Sequence, residues 1–371
     1  MSWTLAGNIT EGAQAKNARA LRRFHVALAS AATSPVDILV GPTDSIGDGF
    51  TASSINKRFV SVLRDELRAK FQPAGTVGGQ GYVDLWNQNA FADYPVVSAN
   101  PIPNTNYGLG LQALDMGQAI QTITVTATMT DLDIIYRGNT GSTGVGFGQI
   151  LYTIDGDGGH FIETGGKGAN GEYVESITGL SVASHTVVMY GNYVGGTQAH
   201  LATVEGVHIY NGDKTKGIRV WEGGQSGYKA QDYATVTTWG SAVKVVQPDL
   251  VVLPIGSNDY AAGRTAAQAK ADIQAIITTI RANTTIAPSI VLLPYYDRSG
   301  SPVTTWADWV AMYHEIADAD ADVCVWDDLT ALFGPFVNDD RGGLVNAVDK
   351  VHATDAGHLV IGKAVVRFVS P

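Results

Sequence analysis

Apolar residues recur along this chain in two rhythms. Over residues 13–32 they fall near one helical face at Ala20, Leu21, Phe24, Leu28 and Ala31, which predicts a helix ended by Pro35. Residues 36–40 then form a short apolar run, read as a buried strand. A turn over 41–47 and a second helix over about 54–71 follow. The same alternation returns at 217–221. Residues 249–255 and 289–294 are near-continuous apolar runs, bordered by helical stretches over about 265–282 and 306–319. A further strand at 322–326 and a last helix over 354–368 complete the series. Continuous apolar runs suit parallel strands covered on both faces, so the expected fold class is α/β, a three-layer α/β/α sandwich.

The middle of the chain reads differently. Between about 75 and 213 the sequence is rich in Gly, Thr and Val and lacks sustained helical periodicity. Residues 121–129 alternate strictly, as does much of 184–190, and turn signals such as Asp155-Gly156-Asp157-Gly158-Gly159 separate such segments. Short strands at this spacing predict an inserted all-β sandwich or jelly roll. The expected organisation is residues 1–74 and 214–371 as two parts of one domain, with 75–213 inserted between them. A length of 371 residues suits that arrangement.

Charge narrows the classes of partner. The 24 Lys and Arg against 35 Asp and Glu give −11, which excludes the basic footprint of nucleic-acid binding and disfavours an anionic membrane surface. No apolar run approaches the ~18 residues of a spanning helix. Arg19, Arg22, Arg23 and His25 interrupt the place where a secretory signal would need its apolar core, so no signal peptide is expected. Cys324 is the only cysteine and lies in an apolar run, which predicts a buried thiol and excludes an intrachain disulfide.

Candidate chemistry sits where the parallel strands end. Ser45 lies in the loop leaving the first strand, where open α/β sheets place ligands. Asp349 precedes His352 by three residues, so its carboxylate can accept from Nδ1 and aim Nε2 at a nucleophile. Asn258, in Gly256-Ser257-Asn258-Asp259, offers a side-chain amide from the third strand. Gly224, in Glu222-Gly223-Gly224, offers a backbone N–H after the second. Several rival patterns fail. Gly224-Gln225-Ser226-Gly227 is no nucleophile elbow, because the closing position is Tyr228. The Asp155–Gly159 turn has Gly159 at its third oxygen position and no glutamate closing a 12-residue frame, so a hairpin is expected rather than a calcium loop. The glycines over 141–148 lack the dinucleotide-binding register. His25, His160, His185, His200, His208 and His314 show no metal-ligand spacing, and His358 is read as packing on the last helix. No metal and no cofactor are expected.

Four blocks in order, Thr43-Asp44-Ser45, Gly224, Gly256-Ser257-Asn258-Asp259 and Asp349-Lys350-Val351-His352, resemble the SGNH (GDSL-type) esterase/lipase family. The resemblance covers roughly residues 13–72 and 217–370. It departs at Thr43, where the family has glycine, and at Glu222, where it often has asparagine. It implies a flavodoxin-like parallel sheet, Ser45 as nucleophile, His352 as base and Asp349 as the group orienting it. It also implies an oxyanion hole from the Ser45 and Gly224 N–H groups and the Asn258 amide. Asp44 is read as stabilising the turn. Tyr260, Tyr295 and Tyr296 follow parallel strands and are expected at the substrate-binding rim. Trp86, Tyr107, Tyr136, Tyr190 and Tyr210 are read as core of the β-rich region rather than a sugar-stacking face.

The reaction expected is metal-independent ester hydrolysis through an acyl-enzyme, on a short acyl (acetyl) ester of a carbohydrate or cell-surface glycan. The same pattern leaves open a lipid or acyl-glycolipid esterase, and a phage tail or adhesion module that binds surface glycans. The opening Met1-Ser2-Trp3-Thr4-Leu5-Ala6-Gly7-Asn8 suits the last of these. An extracellular or virion-associated location is favoured over a cytoplasmic one.

Overall fold

The computed structural model describes residues 11–74, 76, 78–87, 89–117, 120–141, 148–191, 201–336 and 341–371. The expectations for residues 1–8, for most of the glycine run over 141–148 and for His200 lie outside them.

Five parallel strands form the central sheet: β1 (Pro35–Thr43), β2 (Gly217–Gly224), β3 (Leu250–Leu253), β4 (Ser289–Leu292) and β5 (Val323–Val325). Their spatial order is β2-β1-β3-β4-β5. This order reverses direction at β1, so the carboxyl ends of β1, β2 and β3 open onto one crevice. Six longer helices flank the sheet: α1 (Glu11–Ala20), α2 (Arg22–Ala29), α3 (Phe59–Phe71), α4 (Ala266–Ala282), α5 (Trp306–Asp318) and α6 (Asp355–Val369).

Alternation along the buried strands divides the core in two. Val36, Ile38, Val40, Leu250 and Val252 pack with Phe24, Phe59, Leu63, Ile361 and Val365. Leu39, Val251, Leu253, Ile290 and Leu292 pack with Ile273, Ile276, Trp309 and Ile316 on the opposite face. Both faces are therefore covered, which is why these strands read as unbroken apolar runs. This is a three-layer α/β/α arrangement about a parallel central sheet.

Threonines set where three helices begin. Thr265 accepts from the Gln268 N–H at 3.2 Å while the Gln268 side chain accepts from the Thr265 N–H at 2.9 Å, a reciprocal capping box that opens α4. Thr305 caps α5 and Thr354 caps α6 through the Asp308 and Gly357 N–H groups. The helix expected over 13–32 is instead two, parted at Leu21, and it stops at Ala29; Pro35 opens β1 rather than closing the helix. The periodicity spans the break because Ala20, Leu21, Phe24 and Leu28 enter the same core.

Between α3 and β2 lie two antiparallel sheets. One contains Gly171–Ile177, Asp131–Gly138, Ala202–Tyr210, Ala113–Met116 and Ile102–Asn104, in that order, with Gly81–Val83 also pairing with Ala202–Tyr210. The other runs Val96–Ala99, Thr122–Met129, Ala183–Gly191, Gln149–Ile154 and His160–Glu163. Leu132, Ile134 and Val204 of the first share one apolar cluster with Val125, Ile150, Val187 and Met189 of the second. Asp155–Gly159 connects two antiparallel strands of the second sheet, as a hairpin turn should. Tyr136 and Tyr210 are buried. His208 and Tyr82 pack on Trp221 of β2, with ring centroids 4.4 and 5.7 Å apart, and join this region to the central sheet. Among the described residues no helix is long and apolar enough to cross a membrane.

Candidate active site

A single helical turn, Ser45–Asp48, follows β1 directly. Asp44 caps it, its Oδ1 accepting from the Ile46 N–H at 3.0 Å, so the turn is fixed by a side chain adjacent to Ser45. Burial pushes the Asp44 carboxyl up to about 7. Thr43, at the family's glycine position, is fully buried; its hydroxyl donates to Pro254 O at 2.8 Å and lies 3.1 Å from the Tyr295 hydroxyl. The Thr43 side chain occupies the space where a Cβ on Gly47 would sit, so the larger residue at 43 is accommodated by the absence of one at 47.

Residues 307 positions apart meet here. Ser45 Oγ lies 2.8 Å from His352 Nε2, and His352 Nδ1 lies 2.9 Å from Asp349 Oδ2. The other carboxylate oxygen of Asp349 accepts from the Val351 and His352 N–H groups at 2.8 and 3.0 Å, and Lys350 adopts a left-handed φ of 60° within this tight turn. Burial alone would raise Asp349, but the donors from His352 and Val351 outweigh it and hold the carboxyl below its ordinary range. Burial lowers the His352 imidazole; Asp349 opposes this shift and the Arg298 charge reinforces it. The imidazole is thus kept neutral on the Ser45 side, with Asp349 as the acceptor for its Nδ1 proton. Phe50 covers one side of the ring at a centroid distance of 4.4 Å.

Asn258 stands on the neighbouring loop. Its Nδ2 donates to Tyr228 O at 2.9 Å and its Oδ1 accepts from Arg298 Nη1 at 3.0 Å. Asp259, wholly buried, accepts from the Ala230 N–H at 2.7 Å, so the block after β3 holds the loop that follows Gly224. Gly224 has no room for a side chain: a Cβ there would lie 2.9 Å from the Asp48 nitrogen and 2.7 Å from Glu222 Oε1. Its N–H faces the Glu222 carboxylate and its carbonyl accepts from the Gln112 side chain, which comes from the antiparallel region.

The three tyrosines expected at the rim lie beneath it instead. Tyr295 and Tyr296 are 2% and 1% exposed, and the Tyr296 hydroxyl donates to Val351 O at 2.8 Å. Tyr260, 5% exposed, packs edge-on against Trp306 and Trp309. Aromatic rings just past parallel strands fill the layer between sheet and loops, where their hydroxyls can satisfy loop carbonyls. His358 is buried, 3.4 Å from Phe50 O, and His25, His160, His185 and His314 pair with Val369 O, Asp157, Asp155 and Asp327. Sequence reasoning missed Arg298 and Phe50. The signal for Arg298 was its place in the loop after β4, at the same end of the sheet as Asn258.

Residues 195–360 match the GDSL-like Lipase/Acylhydrolase family. Among solved structures, a peptidoglycan O-acetylesterase superposes with a TM-score of 0.68 at 15% identity, covering 94% of each chain. A family two carbohydrate esterase from Clostridium thermocellum has a TM-score of 0.34 at 11% identity, covering 72% of this chain and 97% of its own. Comparison with curated proteins gives no match. Over residues 195–360, which include Gly224, Asn258, Asp349 and His352, the chain is similar to the GDSL-like lipase/acylhydrolases, and its fold is the SGNH hydrolase fold; the two together support a carboxylic ester hydrolase.

Proposed function

We propose that this protein is a serine esterase that removes short acyl groups, acetyl foremost, from a carbohydrate or cell-surface glycan. The observation that carries this reading is the continuous relay from Ser45 Oγ through His352 to Asp349, at 2.8 and 2.9 Å. In this mechanism His352 Nε2 takes the Ser45 proton as Oγ attacks the ester carbonyl. The tetrahedral oxyanion is met by the Ser45 N–H and the Asn258 amide proton not engaged by Tyr228; the Gly224 N–H, expected as a third donor, is turned to the Glu222 carboxylate instead. His352 then gives its proton to the departing sugar hydroxyl, leaving Ser45 acylated. Water enters, His352 deprotonates it, and acetate leaves with Ser45 restored.

The acetylated glycan is inferred by analogy with the peptidoglycan O-acetylesterase whose fold this chain shares. On the same reading residues 75–213 are an inserted β-sandwich of jelly-roll kind. It braces the oxyanion block through Gln112 and Gly224, with the hydrolase domain divided into 1–74 and 214–371.

The test is hydrolysis of p-nitrophenyl acetate and of O-acetylated peptidoglycan, with fluorophosphonate labelling mapped by mass spectrometry. Label on Ser45, with turnover falling by about 10⁶ in Ser45→Ala, is expected. Absence of turnover on both substrates together with no label at Ser45 would overturn the reading.

A further inference from the structure

We propose that Phe50 is the platform on which the departing alcohol lies, and that it favours an ester of a pyranose ring over an ester of an open-chain alcohol. This role presupposes the esterase reading above and deepens it. Phe50 follows the Ser45–Asp48 turn that carries the nucleophile. Its ring lies against the His352 imidazole, with centroids 4.4 Å apart and planes inclined at 54°, yet 39% of the residue remains exposed.

Proton transfer sets which part of the substrate Phe50 meets. His352 Nε2, 2.8 Å from Ser45 Oγ, must also reach the leaving oxygen of the ester, which requires a separation of about 2.6–3.2 Å. The alcohol that carries this oxygen therefore lies beside the imidazole, whereas the acyl chain points away across the carbonyl carbon. A ring packed on the imidazole is within van der Waals reach of that alcohol. The faces of an aromatic ring carry partial negative charge, so they attract the C–H groups of a pyranose while removing them from water. An open-chain alcohol presents no comparable flat array of C–H groups.

The backbone around Phe50 is held in a costly shape. Thr51, a β-branched residue, has a left-handed φ of 72°, a conformation such residues rarely adopt. Strain of this kind persists only where neighbouring groups enforce it. Here the Phe50 N–H donates to Ser45 O at 2.8 Å and the Thr51 hydroxyl donates to Ala353 O at 2.6 Å. The Ser53 N–H and hydroxyl donate to the two Asp355 carboxylate oxygens at 2.7 Å each. The loop is thus tied at one end to the nucleophile and at the other to the residues that follow the base. A ring fixed in place while still exposed loses little freedom when a ligand covers it, which is what a stacking surface needs. Packing on His352 alone would be served as well by a buried ring.

The experiment uses the full chain and measures kcat/KM for two acetyl esters, glucose pentaacetate and methyl acetate. In Phe50→Leu, which keeps an apolar side chain against His352, the ratio of the first to the second should fall about 10-fold, and Phe50→Tyr should preserve it. The ratio of p-nitrophenyl butyrate to p-nitrophenyl acetate should stay the same in Phe50→Leu. A sugar-to-methyl ratio that does not change, whether both rates fall together or neither falls, would overturn the proposal. So would a shift in the butyrate-to-acetate ratio, which places the ring on the acyl side. Turnover of methyl acetate without turnover of glucose pentaacetate by the unaltered chain would overturn it too, with the esterase reading left standing. If no ester is turned over, the esterase reading fails, and saturation-transfer NMR of glucose pentaacetate on Ser45→Ala, with and without Phe50→Leu, decides the platform separately. Binding that is absent, or equal in the two proteins, overturns it.

Discussion

Arg298 holds the Asn258 amide by its oxygen, Nη1 to Oδ1 at 3.0 Å, while Tyr228 O takes one amide proton at 2.9 Å. The plane of the amide is thereby set from both ends, and the remaining proton is aimed by Arg298 without its touching substrate. The same guanidinium depresses the His352 imidazole through its charge. Arg298→Gln should lower kcat about 10–100-fold, the value of one charged hydrogen bond, with a smaller change in KM. It should also move the acid limb of the kcat/KM profile to higher pH. Arg298→Lys should restore the limb but only part of kcat. A Gln variant with unaltered kcat and pH profile would refute the role.

His352 acts as a base only when neutral, and burial places its titration below the ordinary value of about 6.5. The rate should therefore rise with pH along an acid limb centred below about 6.5 and be flat at neutral pH. Asp349→Asn should cost about 10⁴ in kcat, because the amide no longer selects the required tautomer. Stopped assays across pH with p-nitrophenyl acetate measure both effects.

Gly224→Ala should impair turnover and stability together. The added Cβ would meet the Asp48 backbone 2.9 Å away at the end of the Ser45 turn. Displacing that turn should lower kcat and also the melting temperature, because the buried backbone must shift to admit the methyl. Wild-type kcat and melting temperature in this variant would show that the turn is not displaced.

Thr43 and Gly47 should be energetically coupled. Gly47→Ala alone drives a methyl into the Thr43 side chain, whereas Gly47→Ala in a Thr43→Gly background has room. Urea unfolding of the four proteins should give an interaction energy of about 1–3 kcal/mol in favour of the double variant. An additive cycle would show that the turn relaxes instead.

His358 is buried with a folded value of about 4, far below its unfolded value of about 6.5. The unfolded chain binds that proton first as pH falls, so the stability present above about pH 6.5 is lost progressively down to about 4. Asp44 and Asp84, both raised to about 7, act with the opposite sign, so the informative quantity is a difference. Between pH 6.5 and 4, His358→Leu should lose less stability than the native protein in parallel melts.

Local sequence was sufficient for the elements whose cause is local. The apolar runs at 250–253 and 289–292, the threonine caps and the hairpin at Asp155–Gly159 carry their own instructions in side-chain periodicity and turn chemistry. The short helices Ala230–Thr235 and Gly240–Val246 escaped notice because segments of 6 and 7 residues span too few turns for a periodic signal. The break at Leu21 was hidden because both helices bury the same face.

What the sequence determined by itself was the set of chemical groups and the end of the sheet at which they gather. Ser45, Asn258, Asp349 and His352 are readable because short motifs at strand ends need particular residue types. Tertiary structure alone decided which side chains look outward and which are consumed inside. Tyr295 and Tyr296 turned under the loops, where their hydroxyls meet the Thr43 hydroxyl and the Val351 carbonyl. Arg298 came to Asn258 across 40 positions of sequence, and His352 to Ser45 across 307. No local pattern encodes such meetings, since they follow from the strand order β2-β1-β3 and from the docking of the antiparallel sheets on Trp221.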